Sequence, residues 1–186
     1  MNLYFYGGSF DPPHLGHKKI INHFSGKCDK FLVIPTHQSP IKEIAPSSYF
    51  HREKMLKLMF ELDMLKNISI VDYETENKSR YTVDLIKLIK SKFPLFKINM
   101  IIGSDQLNEI KKWKEHDYII NNVKITVISR PNFNFSNKPY IYNYIDEISV
   151  DISSSFIREN ISNLDAIKTM LDENVMNYII DNKLYS

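Results

Sequence analysis

Compact apolar runs at residues 3–6 (LYFY), 30–35 (KFLVIP), 67–72 (NISIVD), 97–102 (KINMII) and 124–129 (KITVIS) alternate with longer segments in which apolar side chains recur every third or fourth position. A short continuous apolar run bounded by charge, proline or glycine is the pattern of a strand buried on both faces; the 3.6-residue recurrence is that of a helix with one buried stripe. Helices are predicted at 14–24, 49–62, 82–93, 105–114 and 116–121. Met55, Leu58, Met59 and Leu62 form the apolar face of the second, and Val83, Ile86 and Ile89 that of the third. Ser47 and Ser48 supply a helix start after the polar, proline-bounded connection 36–46, while 74–79 reads as a charged loop. Strands alternating with helices of about a dozen residues require crossover connections. The predicted fold is therefore α/β, a doubly wound Rossmann-like parallel sheet covered on both faces, with ligands expected at the carboxyl ends of its strands.

The alternation breaks at 130–144, where Asn, Pro and aromatic residues predict an irregular surface loop. An edge strand is expected at 145–150, then short helices at 153–160, 164–171 and 173–181. No internal repeat or low-complexity linker divides the chain, so residues 1–186 are read as a single domain whose last part, 151–186, is helical.

Composition narrows the classes of function. A net charge of +2 with dispersed lysines is too little for a bulk nucleic-acid footprint, and Cys28, the sole cysteine, excludes both an intrachain disulfide and a cysteine zinc cluster. Residues 1–8 run straight into a candidate active-site loop, leaving no room for a cleavable signal peptide, and no later apolar run reaches membrane-spanning length. The expectation is a soluble cytoplasmic protein that binds neither nucleic acid nor membrane; its oligomeric state is open.

Candidate chemistry gathers at NLYFYGGSFDPPHLGH, residues 2–17. The pattern predicts a strand that turns on Gly7-Gly8, passes through Asp11-Pro12-Pro13 and opens a helix at His14. A strand ending in glycines and feeding a helix N-terminus is a phosphate-binding geometry, since backbone N–H groups and the positive end of the helix dipole converge. His14 and His17, three residues apart, place both rings on one face of the first turn. Neither GxGxxG nor GxxxxGK[ST] is present, which removes the usual support for hydride transfer or P-loop chemistry.

The unbroken run from Gly7 to His17 resembles the signature of the nicotinate/nicotinamide mononucleotide adenylyltransferases, in the HxGH nucleotidyltransferase superfamily. Further resemblances extend from residue 3 to residue 158. The segment 35–42 (PTHQSPIK) is similar to the family's proline-rich second motif, with Ile41 where that motif has His, and 80–84 (RYTVD) is similar to its SYTxD segment with Arg80 in place of Ser. Gly103-Ser104-Asp105 with Trp113 resembles GxD…W, and 152–158 (ISSSFIR) resembles ISxxxIR.

The resemblance implies transfer of AMP from ATP to nicotinate mononucleotide, and less well to the amide, giving deamido-NAD and pyrophosphate in NAD biosynthesis, with Mg²⁺ arriving on ATP. It implies His14, His17, Lys42 and Arg158 as the groups acting on the phosphates. Gly7, Gly8, Ser9 and Phe10 would hold the mononucleotide phosphate, with Tyr81 and Thr82 at the pyridine substituent. Gly103 and Asp105 would lie at a ribose, Trp113 would stack on the pyridine, and Ser155 would assist Arg158; no protein metal ligand is implied. Asp11 is expected to order the loop or to lie near the metal. The rival readings are another HxGH transferase, such as a phosphopantetheine adenylyltransferase, and a non-catalytic nucleotide-binding module.

Overall fold

The structure is a computed structural model that describes residues 1–37, 47–60, 66–77, 81–130, 140–146, 148 and 151–185. Six parallel strands form one sheet: β1 (Asn2–Gly8), β2 (Lys30–Pro35), β3 (Ile68–Ile70), β4 (Lys97–Gly103), β5 (Lys124–Ile128) and β6 (Ile141–Ile145). Their order is β3-β2-β1-β4-β5-β6, so the direction of winding reverses between β1 and β4. This is the expected doubly wound sheet, and the reversal opens a crevice above the carboxyl ends of those two strands.

The continuous apolar runs have a direct cause in this architecture. Because successive side chains of a strand point to opposite faces, Leu3 and Phe5 enter one core while Tyr6 enters the other. Leu32 and Ile34 of β2 likewise join the first core, and Phe31 and Val33 the second. The first face is covered by α4 (Thr82–Lys92), α5 (Ser104–Glu109) and α6 (His116–Asn122), through Val83, Ile86, Ile89, Leu107 and Ile119. The second is covered by α1 (Leu15–Ser25), α2 (Tyr49–Phe60) and the C-terminal helices α7 (Ser154–Glu159), α8 (Leu164–Ile167) and α9 (Glu173–Asp181). No described helix is long and apolar enough to cross a membrane.

Four local expectations are corrected. β1 does not turn on Gly7-Gly8; it runs through both glycines, which pair with Ile34 and Pro35 of β2, and the chain turns at Phe10, whose φ is +50°. The edge strand β6 lies at Ile141–Ile145, four residues earlier than expected and mostly within the span read as a loop, because an edge strand with half its surface in water shows no continuous apolar run. The charged loop 74–79 contains a short helix, α3 (Tyr73–Asn77). The helix expected over 105–114 is α5 followed by a 3₁₀ turn, Ile110–Lys112, that ends at Trp113. Lys42, Ile41, Leu62 and Arg80 lie outside the described residues.

Candidate active site

After β1 the backbone is bent into a compact loop by Phe10 and the cis Asp11–Pro12 peptide. The Phe10 ring is buried edge-on against Tyr6 (5.6 Å between centroids) and His17 (4.9 Å), and a Cβ added at Gly8 would press on it at 3.3 Å. Asp11 is buried and accepts hydrogen bonds from the amide and hydroxyl of Ser47 and, at 2.7 Å, from the hydroxyl of Tyr185. Its carboxylate therefore ties the loop to α2's approach and to the C-terminus, the loop-ordering role that was one of its two expectations.

His14 is the N-cap of α1, and the two histidines cap one another. The His17 amide donates to His14 Nδ1 (3.4 Å) while the His14 amide donates to His17 Nδ1 (3.2 Å), a capping box built from imidazoles. An Nδ1 that accepts a hydrogen bond carries no proton, so each neutral ring holds its proton on Nε2. The rings stack 3.7 Å apart and are only 4% and 8% exposed. Burial, then the nearby Arg130 guanidinium, pushes His14 down to about 3. Burial, His14 and Arg130 push His17 well below the usual imidazole range. Both side chains are neutral donors at neutral pH, offering Nε2–H to the cleft they line.

The helix amides expected to face an anion are largely spoken for: Leu15 donates to the Met170 carbonyl at 2.8 Å and His17 to His14. At the start of α1 the two imidazoles, and not these two amides, are left to face the cleft.

The C-terminal helices close over the same loop. Ser153 caps α7, Ser154 Oγ donates to the Pro12 carbonyl (3.0 Å), and Arg158 donates from Nη1 to the Asp11 carbonyl (2.6 Å) and from Nη2 to Ser155 Oγ (3.3 Å). The three-residue spacing thus brings Ser155 and Arg158 together beside the histidine loop. Lys18 pairs with Asp172, the cap of α9, at 2.6 Å.

Two arginines that the sequence did not single out shape the site. Arg52 is 1% exposed, and its guanidinium donates to the carbonyls of Ser47, Ser9, Thr36 and His37, binding the β1 loop to the end of β2. Arg130, just beyond β5, has its Nε 3.1 Å from Asp105 Oδ1. A Cβ at Gly103 would collide with both of those side chains, so this glycine makes room for the Asp105–Arg130 pair.

The remaining wall is formed by Tyr81 and Thr82 at the start of α4 and by the half-buried Trp113. Tyr81, the N-cap, gives no side-chain capping bond, and Lys114 Nζ lies 4.5 Å over its ring. All of these residues line one cleft of about 1210 Å³, which also takes in Gly7, Gly8, Ser9, Phe10, Gly103 and Asp105. Every candidate residue from the sequence borders it except Lys42, which lies outside the described residues. Among the described residues no cluster of His, Cys, Asp or Glu has the makings of a metal site.

A family model described as cytidylyltransferase-like matches residues 5–160. The nicotinate-nucleotide adenylyltransferase of Bacillus subtilis is 30% identical over 183 residues, covering 97% of this chain and 96% of the relative. Among solved structures, Plasmodium falciparum nicotinic acid mononucleotide adenylyltransferase complexed with NaAD shares the fold with a TM-score of 0.86 at 23% identity, over 99% of this chain and 97% of that one. The same enzyme complexed with APC gives a TM-score of 0.84 over 99% and 96%.

Proposed function

The chain belongs to the cytidylyltransferase-like family and, within it, to the nicotinate-nucleotide adenylyltransferases, and from that premise we propose that it joins ATP to nicotinate mononucleotide, producing deamido-NAD and pyrophosphate in NAD biosynthesis. The observation that carries this reading is the mutually capped pair His14–His17, two neutral donors at the crevice where the sheet reverses.

In the reaction an oxygen of the mononucleotide's 5′-phosphate forms a bond to the α-phosphorus of ATP. The α-phosphorus to bridging-oxygen bond breaks, and pyrophosphate leaves with that electron pair. The attacking phosphate is already a nucleophile at neutral pH, so no covalent enzyme intermediate is needed. The protein's task is to hold two polyanions in line, an alignment worth on the order of 7–11 kcal/mol in well-oriented systems, and to place donors where charge grows. His17 and His14 supply Nε2–H donors to the ATP phosphates, and Arg158, set by the Asp11 carbonyl, supplies a charged fork beside Ser155. Lys42 acts as a further phosphate clamp. Ser9 and Phe10 receive the mononucleotide phosphate, Trp113 stacks on its pyridine, and Asp105 with Gly103 faces a ribose.

Mg²⁺ supplies charge neutralisation when bound with ATP. The residues fit a metal carried by phosphate and water, since Asp11's carboxylate is occupied by Ser47 and Tyr185. The same reading makes the protein a soluble cytoplasmic enzyme.

The acid is preferred to the amide because Tyr81 and Thr82 open α4, and a helix N-terminus favours an anion. A carboxylate accepts from two such donors, whereas a carboxamide turns its own NH₂ toward one, a mismatch of about 1–3 kcal/mol. The test is kcat/KM for nicotinate and nicotinamide mononucleotide at saturating ATP and Mg²⁺. A preference of roughly fivefold or more for the acid is expected; equal values or a preference for the amide would remove the α4 start from the pyridine subsite. Turnover of phosphopantetheine in place of either mononucleotide would move the chain to the rival transferase reading.

A further inference from the structure

The motifs quoted above leave Arg130 without a role, yet its charge reaches both histidines and it lines a recess with them. Its charge acts on His14, on His17 and on the Tyr6 hydroxyl, and it lines the same recess as His14, His17 and Gly103. Its backbone is pinned, with the Arg130 amide donating to the buried Ser104 hydroxyl at 3.0 Å. Its Nε forms an ion pair with Asp105 Oδ1 at 3.1 Å, and Gly103 lacks the Cβ that would collide with the arm. A guanidinium that faces Asp105 through Nε and also hydrogen-bonds the Tyr6 hydroxyl still keeps Nη N–H donors for a further acceptor. That is the geometry suited to a forked grip on two oxygens of a phosphate.

We propose that Arg130 is a phosphate-binding residue of this site, ion-paired with Asp105 at Nε so that its remaining Nη donors grip the polyphosphate of the nucleoside triphosphate alongside the Nε2–H donors of His14 and His17. The assignment rests on the adenylyl-transfer reading above. Asp105 is then a positioning residue for Arg130. Charge explains the division of labour. The histidines are neutral, so a polyanion that meets them needs a permanent cation nearby, and a charge that cannot be lost at any physiological pH is the one kind of cation that burial will not switch off. Burial first, and that charge as a lesser cause, keep the imidazoles unprotonated and so preserve their capping box.

The experiment is the binding of inorganic pyrophosphate, the polyphosphate alone, to wild-type protein and to Arg130→Met, Arg130→Lys and Asp105→Asn by calorimetry. It is accompanied by KM for ATP and for the mononucleotide, with circular dichroism to verify folding. Arg130→Met is expected to weaken pyrophosphate binding about tenfold to a hundredfold and to raise KM for ATP far more than KM for the mononucleotide. Arg130→Lys keeps the charge and loses the fork, so it should recover part of the binding; a side chain that served only to fill the recess would show neither the split nor the recovery. Asp105→Asn should weaken pyrophosphate binding less than Arg130→Met. An independent readout is ring titration by NMR. Removing the Arg130 charge should raise the apparent pKa of His14, because that charge opposes protonation. Unchanged pyrophosphate affinity in a folded Arg130→Met or Arg130→Lys protein, with wild type turning over normally, would overturn the Arg130 assignment alone. Wild-type protein that neither binds pyrophosphate nor releases it from ATP and nicotinate mononucleotide would overturn the reading on which it stands.

Discussion

A histidine whose Nδ1 accepts a backbone N–H has had its tautomer chosen for it, and His14 and His17 choose for each other. Removing either ring therefore uncaps its neighbour and, on the proposed mechanism, strips a donor from the phosphates. His17→Ala is expected to lower kcat by about a hundredfold or more, the scale seen when a single preorganised donor is lost, and to cost about 1 kcal/mol of stability as a lost cap. Near-normal kcat with a native circular dichroism spectrum would take His17 out of the mechanism. The same burial sets a pH dependence. His14 titrates near 3 in the folded protein and His17 well below its usual range, against an unfolded value near 6.5. Between those values the unfolded chain binds more protons, so stability is complete above about pH 6.5 and is lost as pH falls below it, by about 1.4 kcal/mol per pH unit for each histidine. Chemical denaturation at pH 7, 6 and 5 checks this, and His14→Gln should flatten the profile. At this scale the sequence spoke through contiguity: His14, His17, Ser155 and Arg158 stand at spacings that a single helical turn makes local. Arg52 and Arg130 were silent because their partners are distant in sequence, Ser9 lying 43 residues from Arg52.

Elements carry the site through their ends. α2 buries Met55, Leu56, Met59 and Phe60, and on the same side its buried Arg52 reaches four carbonyls and fixes where β1 and β2 stop. Arg52→Met leaves those carbonyls without their donor, and a loss of about 3 kcal/mol is expected, on the scale of hydrogen bonds to a charged group. A thermal midpoint lowered by roughly 6–12 °C for a chain of this size is the corresponding readout; an unchanged midpoint would mean that water or another donor replaces the guanidinium. The 3₁₀ turn at Ile110–Lys112 ends at Trp113 and sets that ring half into the cleft. Trp113→Ala should raise KM for the mononucleotide by about five- to a hundredfold, the worth of ring stacking at roughly 1–3 kcal/mol, while KM for ATP stays near its original value; equal rises would make Trp113 structural. Strands β1, β2, β4 and β5 were legible because burial on both faces writes a continuous apolar run. β6 was not, since Tyr142 is 56% exposed and Lys124 lies over its ring, a surface pairing with no apolar periodicity.

On the scale of the whole molecule, the two ends of the chain build one another. The C-terminal Tyr185 donates to Asp11 in the loop that follows β1, and Leu15 at the start of α1 donates to Met170 before α9. Burial, then the Asp11 charge, raise the Tyr185 phenol, which keeps it a donor at neutral pH. Tyr185→Phe is expected to cost about 2 kcal/mol as one donor to a buried carboxylate is lost, and to lower kcat by loosening the loop that presents the histidines; thermal melts and initial rates measure the two effects separately. The doubly wound plan was readable from alternating periods alone, but this clasp was not, because nothing local in residues 182–185 marks a contact with residue 11. The account's central claim is that two phosphate-bearing substrates occupy the cleft together and react directly. Its most direct measurement is the initial rate of pyrophosphate release over a grid of ATP and nicotinate mononucleotide concentrations with Mg²⁺, with deamido-NAD measured in the same samples. Intersecting double-reciprocal lines and one deamido-NAD per pyrophosphate are predicted. Parallel lines, or pyrophosphate released without deamido-NAD, would contradict it.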